Sequence, residues 1–206
     1  MTATRDHIVH WADTLIRQKG FNAFSYADIA AVLKIRNAAI HYHFPTKSSL
    51  GQAVIKEELQ RLQDYRTSHK DLPGDLQLQH LVTIFYHNSE RNAVCLMGAL
   101  TPEFTTFDGD MQMMVRRLCM SIREWVAECL DAARGAGRLH FNGSPADRAA
   151  LVVSTLLASL LLARVDGPEL FRRMIDQSLE DLGSAWRLDH LPAMPSAGEE
   201  GLYSFT

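Results

Sequence analysis

The chain has 206 residues, enough for one sizeable core or for a small domain joined to a larger one. Hydrophobic residues make up 47% and charged residues 22%, a balance that excludes a disordered or fibrous chain. The net charge of −3 conceals an asymmetry: residues 1 to 50 hold six Lys/Arg against three Asp, a surplus of +3, and the remainder is acidic.

A small basic head on an acidic body suggests that the head alone meets a polyanion. Three cysteines, Cys95, Cys119 and Cys129, are an odd number without paired spacing, which fits free thiols in a reducing cytoplasm. The N-terminus carries no basic segment followed by an apolar one, so no secretory signal is expected. The longest apolar run, Ala149 to Ala163, is interrupted by Ser154, Thr155 and Ser159 and falls short of the about 18 residues of a membrane span. A buried helix is expected there, and no membrane partner.

Helical periodicity runs through the chain, and the expected fold class is all-α. The first helix, about Thr4 to Lys19, places Ile8, Ala12, Leu15 and Ile16 on one stripe and stops at Gly20. Ser25-Tyr26-Ala27-Asp28 reads as a capping box with Asp in the Glu position, and it opens a short helix that buries Ile29, Ala30 and Leu33. After a connection from Lys34, a third short helix takes Asn37 as its N-cap and runs to Phe44. Pro45 interrupts it, and Thr46 caps a long helix carrying Leu50, Ala53, Val54, Leu62 and Tyr65. This is a three-helix head of helix-turn-helix type, placed at residues 1–50.

Pro73-Gly74 leads into a larger helical body, residues 51–187 with the connector included. Its helices are expected at about Asp75 to Glu90, Val94 to Phe104, Asp110 to Ala133, Pro145 to Val165 and Pro168 to Trp186. Ser144-Pro145-Ala146-Asp147 marks the clearest start, with a cap, a proline at the first helical position and an acid three residues on. The last two helices carry broad apolar stripes, and the first of them needs cover on more than one side. Pairing with the same helices of a second chain would provide it, so a homodimer is expected. Residues 188–206, with Pro192, Pro195 and Gly198, are expected to be irregular.

On the third helix Ile40 and Phe44 are four residues apart and share the inward face, leaving His41, Tyr42 and His43 to point outward or sideways. A two-turn helix of that kind suits the major groove of DNA. Arg36, Asn37, Ala38 and Ala39 form the end that would reach base edges: Arg pairs with guanine, Asn with adenine, and Ala methyls meet thymine methyls. Tyr42, Lys47 and the helix start at Thr46 suit phosphate oxygens. His41 and His43 point about 200° apart on a helix, which is wrong for a metal pair. No metal and no cofactor is expected.

The run Ile40-His41-Tyr42-His43-Phe44-Pro45-Thr46-Lys47-Ser48-Ser49-Leu50 resembles the L-Y-Y-H-F-x-x-K-x-x-L pattern that ends the helix-turn-helix of the TetR (tetracycline-repressor) family. Gly20-Phe21 and Ser25-Tyr26-Ala27-Asp28-Ile29-Ala30 also sit at that family's spacing, and Tyr26 joins the candidate DNA-binding residues on this ground. The resemblance covers about the first 65 residues specifically and the rest by architecture. It departs at Lys34, where the family commonly has Gly, and at Ala38-Ala39.

The resemblance implies a homodimeric DNA-binding regulator, a repressor released from a palindromic operator by a small and largely apolar ligand held in the body. Candidate lining residues are Phe85, Tyr86, Phe104, Met111, Met114, Ile122, Trp125 and Val126, although an apolar stripe at this spacing also builds a core. The stretch Cys95-Leu96-Met97-Gly98-Ala99-Leu100-Thr101-Pro102-Glu103 is similar to a C-L-x-x-x-L-x-x-E segment of electrophile-sensing, NemR-like members. Cys95 is therefore a candidate thiol sensor near a helix start, or else a small buried residue. Cys119 and Cys129 are expected to pack in the core. Two other functions stay open: an activator or scaffold whose body binds a protein, and a helical enzyme pairing Cys95 with His80 or His87, for which no triad signature exists.

Overall fold

The computed structural model describes residues 2–91 and 93–188, so nearly all of the expected irregular tail lies outside the described residues. All elements among them are helical: α1 (Thr2–Lys19), α2 (Tyr26–Leu33), α3 (Asn37–His43), α4 (Lys47–Ser68), α5 (Gly74–Glu90), α6 (Leu96–Leu100), a 3₁₀ turn (Thr101–Thr106), α7 (Gly109–Gly135), α8 (Pro145–Asp166) and α9 (Pro168–Glu180). Two expected helices differ. The one placed at Val94 to Phe104 is a five-residue α-helix followed by the 3₁₀ turn, because Pro102 has no N–H to continue the ladder. The last ends at Glu180 rather than Trp186, where Gly183 adopts a positive φ of 66°.

The helices group into two compact units: Met1–Gln60 with Leu96–Cys119, and Arg61–Cys95 with Met120–Thr206. The head therefore extends past residue 50 and takes in a segment far along the chain. In this first unit the α1 stripe Ile8, Ala12, Leu15 and Ile16 is buried as its spacing predicts, together with Ile29, Ile40, Phe44, Leu50 and Val54. Gly20 ends α1 with φ +92°, its N–H bonded to the Ile16 carbonyl at 2.8 Å. The buried Arg17 guanidinium lies 2.8 Å from Asp13 Oδ1 and 3.1 Å from Glu58 Oε2, which ties α1 to α4. Removing the arginine would leave the buried Glu58 carboxylate without this counter-charge, a change that costs about 3–5 kcal/mol.

In the second unit α5, α8 and α9 pack around Leu81, Phe85, Val153, Leu156, Leu160, Phe171 and Ile175. Ser144 caps α8, its Oγ accepting from the Asp147 N–H at 3.0 Å. Gly74 permits close approach: a Cβ there would lie 2.2 Å from the Cys129 carbonyl oxygen. By length and composition alone α8 is apolar enough to cross a membrane. It packs here as a core helix on one side only, with Leu151, Leu161, Leu162 and Val165 exposed along the other. The helix expected to be covered all round is thus left half open within one chain.

Candidate nucleic-acid interface

Ser25 opens α2 with the anticipated capping box, its N–H and Oγ both donating to Asp28 Oδ2 at 2.7 and 2.6 Å. Lys34 closes α2 in the left-handed region (φ 54°, ψ 40°), a conformation that a side chain adopts only with some strain. The turn then delivers Arg36, in extended conformation, as the N-cap of α3; Asn37 is the first helical residue rather than the cap. Arg36 makes no side-chain cap bond, and Arg36, Asn37, Ala38, His41 and Tyr42 are exposed while Ile40 and Phe44 are buried. Ala39 and His43 are half-buried. Tyr42, at 74% exposure, projects furthest of the aromatic side chains in this stretch.

Two candidate DNA contacts point the other way. Tyr26 is buried, and its hydroxyl donates to the Phe44 carbonyl at 2.8 Å, bolting the start of α2 to the end of α3. Burial pushes its pKa up to about 12. The His41 ring rests edge-on against it at 4.8 Å. Lys47 sets its ammonium 4.8 Å from the Phe21 ring centre and 4.2 Å from that of Phe24, and donates to the Phe24 carbonyl. Burial lowers its pKa, against the pull of Glu103 and Asp28. Spacing places both residues beside α3, but the aromatic floor of the head draws them inward.

Thr46 caps α4 as expected, with Ser49 N–H donating to its Oγ1 at 3.0 Å. Its hydroxyl is thereby engaged, and the first turn of α4 retains backbone N–H groups of the kind that helix starts offer to anions. The surface is the exposed side of α3 followed by the N-terminal end of α4, where a helix dipole is positive.

The family model for bacterial regulatory proteins of the tetR family matches residues 8–54. A TetR transcriptional regulator from Legionella pneumophila is 30% identical, with a TM-score of 0.75 over 85% of this chain and 96% of that one. The chain belongs to the TetR family. IcaR from Staphylococcus aureus, the HTH-type negative transcriptional regulator of the biofilm operon icaADBC, is 25% identical over 63% of this chain and 71% of its own length. Reduced Escherichia coli NemR is 18% identical, with a TM-score of 0.70 over 88% of this chain and 98% of that one, and shares the fold. As a TetR-family protein the chain is a DNA-binding transcription regulator.

The candidate effector residues of this TetR-family chain divide between the two units. Phe104, Met111 and Met114 fall in the first unit, and Phe85, Tyr86, Cys95, Ile122, Trp125 and Val126 in the second. Met111 packs against Gly51, where a Cβ would lie 2.6 Å from its Cε, and Phe104 is covered by the Arg116 guanidinium at 4.7 Å. Trp125 Nε1 donates to Gln77 Oε1 at 3.1 Å, and the Tyr86 hydroxyl donates to Glu90 Oε1 at 2.6 Å while accepting from Arg172. A cavity of about 20 Å³ among Leu78, Val82, Val152, Leu156, Ile175 and Leu179 has room for about one water and none of these candidates in its wall. A groove of about 220 Å³ between α8 and α9, lined by Leu151, Thr155 and Met174, also lacks them. The period of α7 shows which residues share a face but not that this face changes neighbours between the units.

Cys95 is buried immediately before α6. Cys129 is buried too, its thiol 3.6 Å from Gln77 Oε1 and its pKa pushed up to about 12, chiefly by burial. Cys119, expected in the core, is partly exposed. Of the histidines in the enzyme reading, His80 stacks on Tyr65 with centres 4.6 Å apart and His87 Nδ1 faces Glu90 Oε2 at 3.5 Å. Among the described residues no three His, Cys, Asp or Glu side chains are grouped to hold a metal ion.

Proposed function

We propose that this chain is a cytoplasmic homodimeric repressor that binds a palindromic operator and leaves it when an effector reaches its second unit. The DNA reading rests on one observation: α3 buries Ile40 and exposes Arg36, Asn37 and Ala38 at its start and Tyr42 at its end. Arg36 and Asn37 would read base edges, Ala38 and Ala39 would meet thymine methyls, and Tyr42, His41, His43 and the α4 start would hold the backbone. Dimerisation draws support from Leu151, Leu161, Leu162 and Val165, which fall on one open side of α8 and would be covered by a second copy. Two heads then meet half-sites one helical turn apart, and release requires only that the effector favour a different spacing.

The effector is a small, largely apolar molecule or an electrophile acting at Cys95, whose burial restricts entry to compact reagents. The test begins with selection of bound fragments from genomic DNA. Palindromic fragments that Tyr42→Ala binds weakly, with a dimer in sedimentation that Val165→Glu dissociates, support the proposal. Binding by a monomer with no shared sequence refutes it. Release of the selected DNA by hypochlorite or a quinone from the native protein but not from Cys95→Ser supports the thiol; equal release from both leaves the reversible ligand.

A further inference from the structure

The turn between α1 and α2 is held from a distant part of the chain. Glu103 Oε2 accepts from the Asn22 N–H at 3.0 Å. Its other oxygen presses on the preceding glycine, since a Cβ on Gly20 would lie 2.6 Å from Oε1. Asn22 Nδ2 donates to Thr106 Oγ1 at 2.9 Å, which itself donates to the Glu103 carbonyl at 2.7 Å. The Phe21 ring meets Phe107 edge-on at 5.3 Å. Phe21 and Phe24 form the aromatic floor under the Lys47 ammonium, and Lys47 begins α4 four residues after α3 ends. The Glu103 carboxylate also attracts that ammonium.

We propose that Glu103 is a positioning residue for DNA recognition: it fixes the α1–α2 turn, which through the Phe21, Phe24 and Lys47 cluster sets the orientation of α3 and of the α4 start. Leu96 and Leu100 are wholly buried about two turns and one turn before it, and the whole segment Leu96–Cys119 belongs to the same unit as α3. Leu96, Leu100 and Glu103 are the matching residues of the C-L-x-x-x-L-x-x-E segment other than Cys95. Their contacts account for the pattern as an attachment to the head, whatever the chemistry of the thiol. The Glu103 carboxylate is engaged within the head by the Asn22 N–H, so its removal is expected to loosen the reading surface without removing a phosphate contact. The proposal rests on the DNA-binding function and is independent of the effector.

The experiment compares full-length wild type, Glu103→Ala, Glu103→Gln and Thr105→Ala. Each is titrated with a duplex selected by the wild type and with a random duplex at several salt concentrations, and amide exchange is read at Phe21 and Asn22. Glu103→Ala is expected to lower the ratio of selected to random affinity about tenfold, with an unchanged salt slope and faster exchange at Asn22. Glu103→Gln, which keeps an acceptor for the Asn22 N–H, restores most of the ratio, and Thr105→Ala matches wild type. A purely structural role would lower the active fraction for both duplexes and leave the ratio intact. An unchanged ratio in Glu103→Ala, or a salt slope reduced by about one, overturns the proposal.

Discussion

Tyr26 and Tyr42 lie sixteen positions apart in the head, and the structure separates their roles so sharply that a single atom removed from each should give opposite results. Tyr26→Phe deletes the hydroxyl that donates to the buried Phe44 carbonyl at 2.8 Å and leaves the ring in place. A neutral hydrogen bond is worth about 1 kcal/mol net, and an acceptor left buried without a partner costs about 1–3 kcal/mol. Together these predict a loss of about 1–3 kcal/mol, concentrated where α3 meets α2. Native-state amide exchange at Ile40 and Phe44 is the assay, because unfolding of a chain with two compact units need not be two-state. Exchange there should quicken by about tenfold or more, while the salt slope of DNA binding stays as in wild type. Tyr42→Phe, at an exposed position, should leave exchange unchanged and weaken binding to selected and random duplexes alike. A Tyr26→Phe protein with native exchange and weaker binding to selected and random duplexes alike would mean that the Tyr26 hydroxyl reaches DNA and that the bolt to Phe44 is misread.

Four further outcomes follow from other contacts. Lys47→Ala should weaken DNA binding through loss of the Phe21 and Phe24 floor with no change in salt slope; a slope smaller by about one would put its ammonium on a phosphate after all. Lys34→Gly relieves a left-handed side chain and should raise head stability by about 0.5–1 kcal/mol in denaturant titration, the gain in strain being offset in part by a freer unfolded chain; a loss would show that the Lys34 side chain holds the turn. Cys129, with its pKa near 12 against the usual 9.0, should be alkylated by iodoacetamide at pH 8 about a thousandfold more slowly in the folded protein than after unfolding, as mass spectrometry of the modified peptide would show. His80 has its pKa lowered by burial and by His69. The unfolded chain therefore takes up the proton first, and stability should be full above about pH 6.5 and fall as pH drops toward the lower folded value. His80→Phe should flatten that decline in thermal melts, and a decline equally steep in this variant would assign it to another group.

The elements readable from the chain alone are those whose signals are local. The Ser25 and Asp28 capping box, the stop at Gly20, the Thr46 cap and the Ser144-Pro145 start each act within a few residues, and each is found where its spacing predicts. The four-residue spacing of Ile40 and Phe44 likewise determines which side of α3 is buried, and hence that Arg36, Asn37, Ala38, His41 and Tyr42 face outward. What each buried or half-buried side chain meets was decided only by tertiary structure. Tyr26 and Lys47 look like contacts to DNA until Phe44, Phe21 and Phe24 close around them. The helical period of α7 likewise does not tell that its two halves belong to different units. Glu103 stood in the sequence only as the last residue of the Cys95 pattern, and its contact to the head was not legible there because its partner Asn22 lies 81 positions away. Helical period specifies a face through covalent geometry, whereas the partner of that face depends on how the whole chain returns on itself.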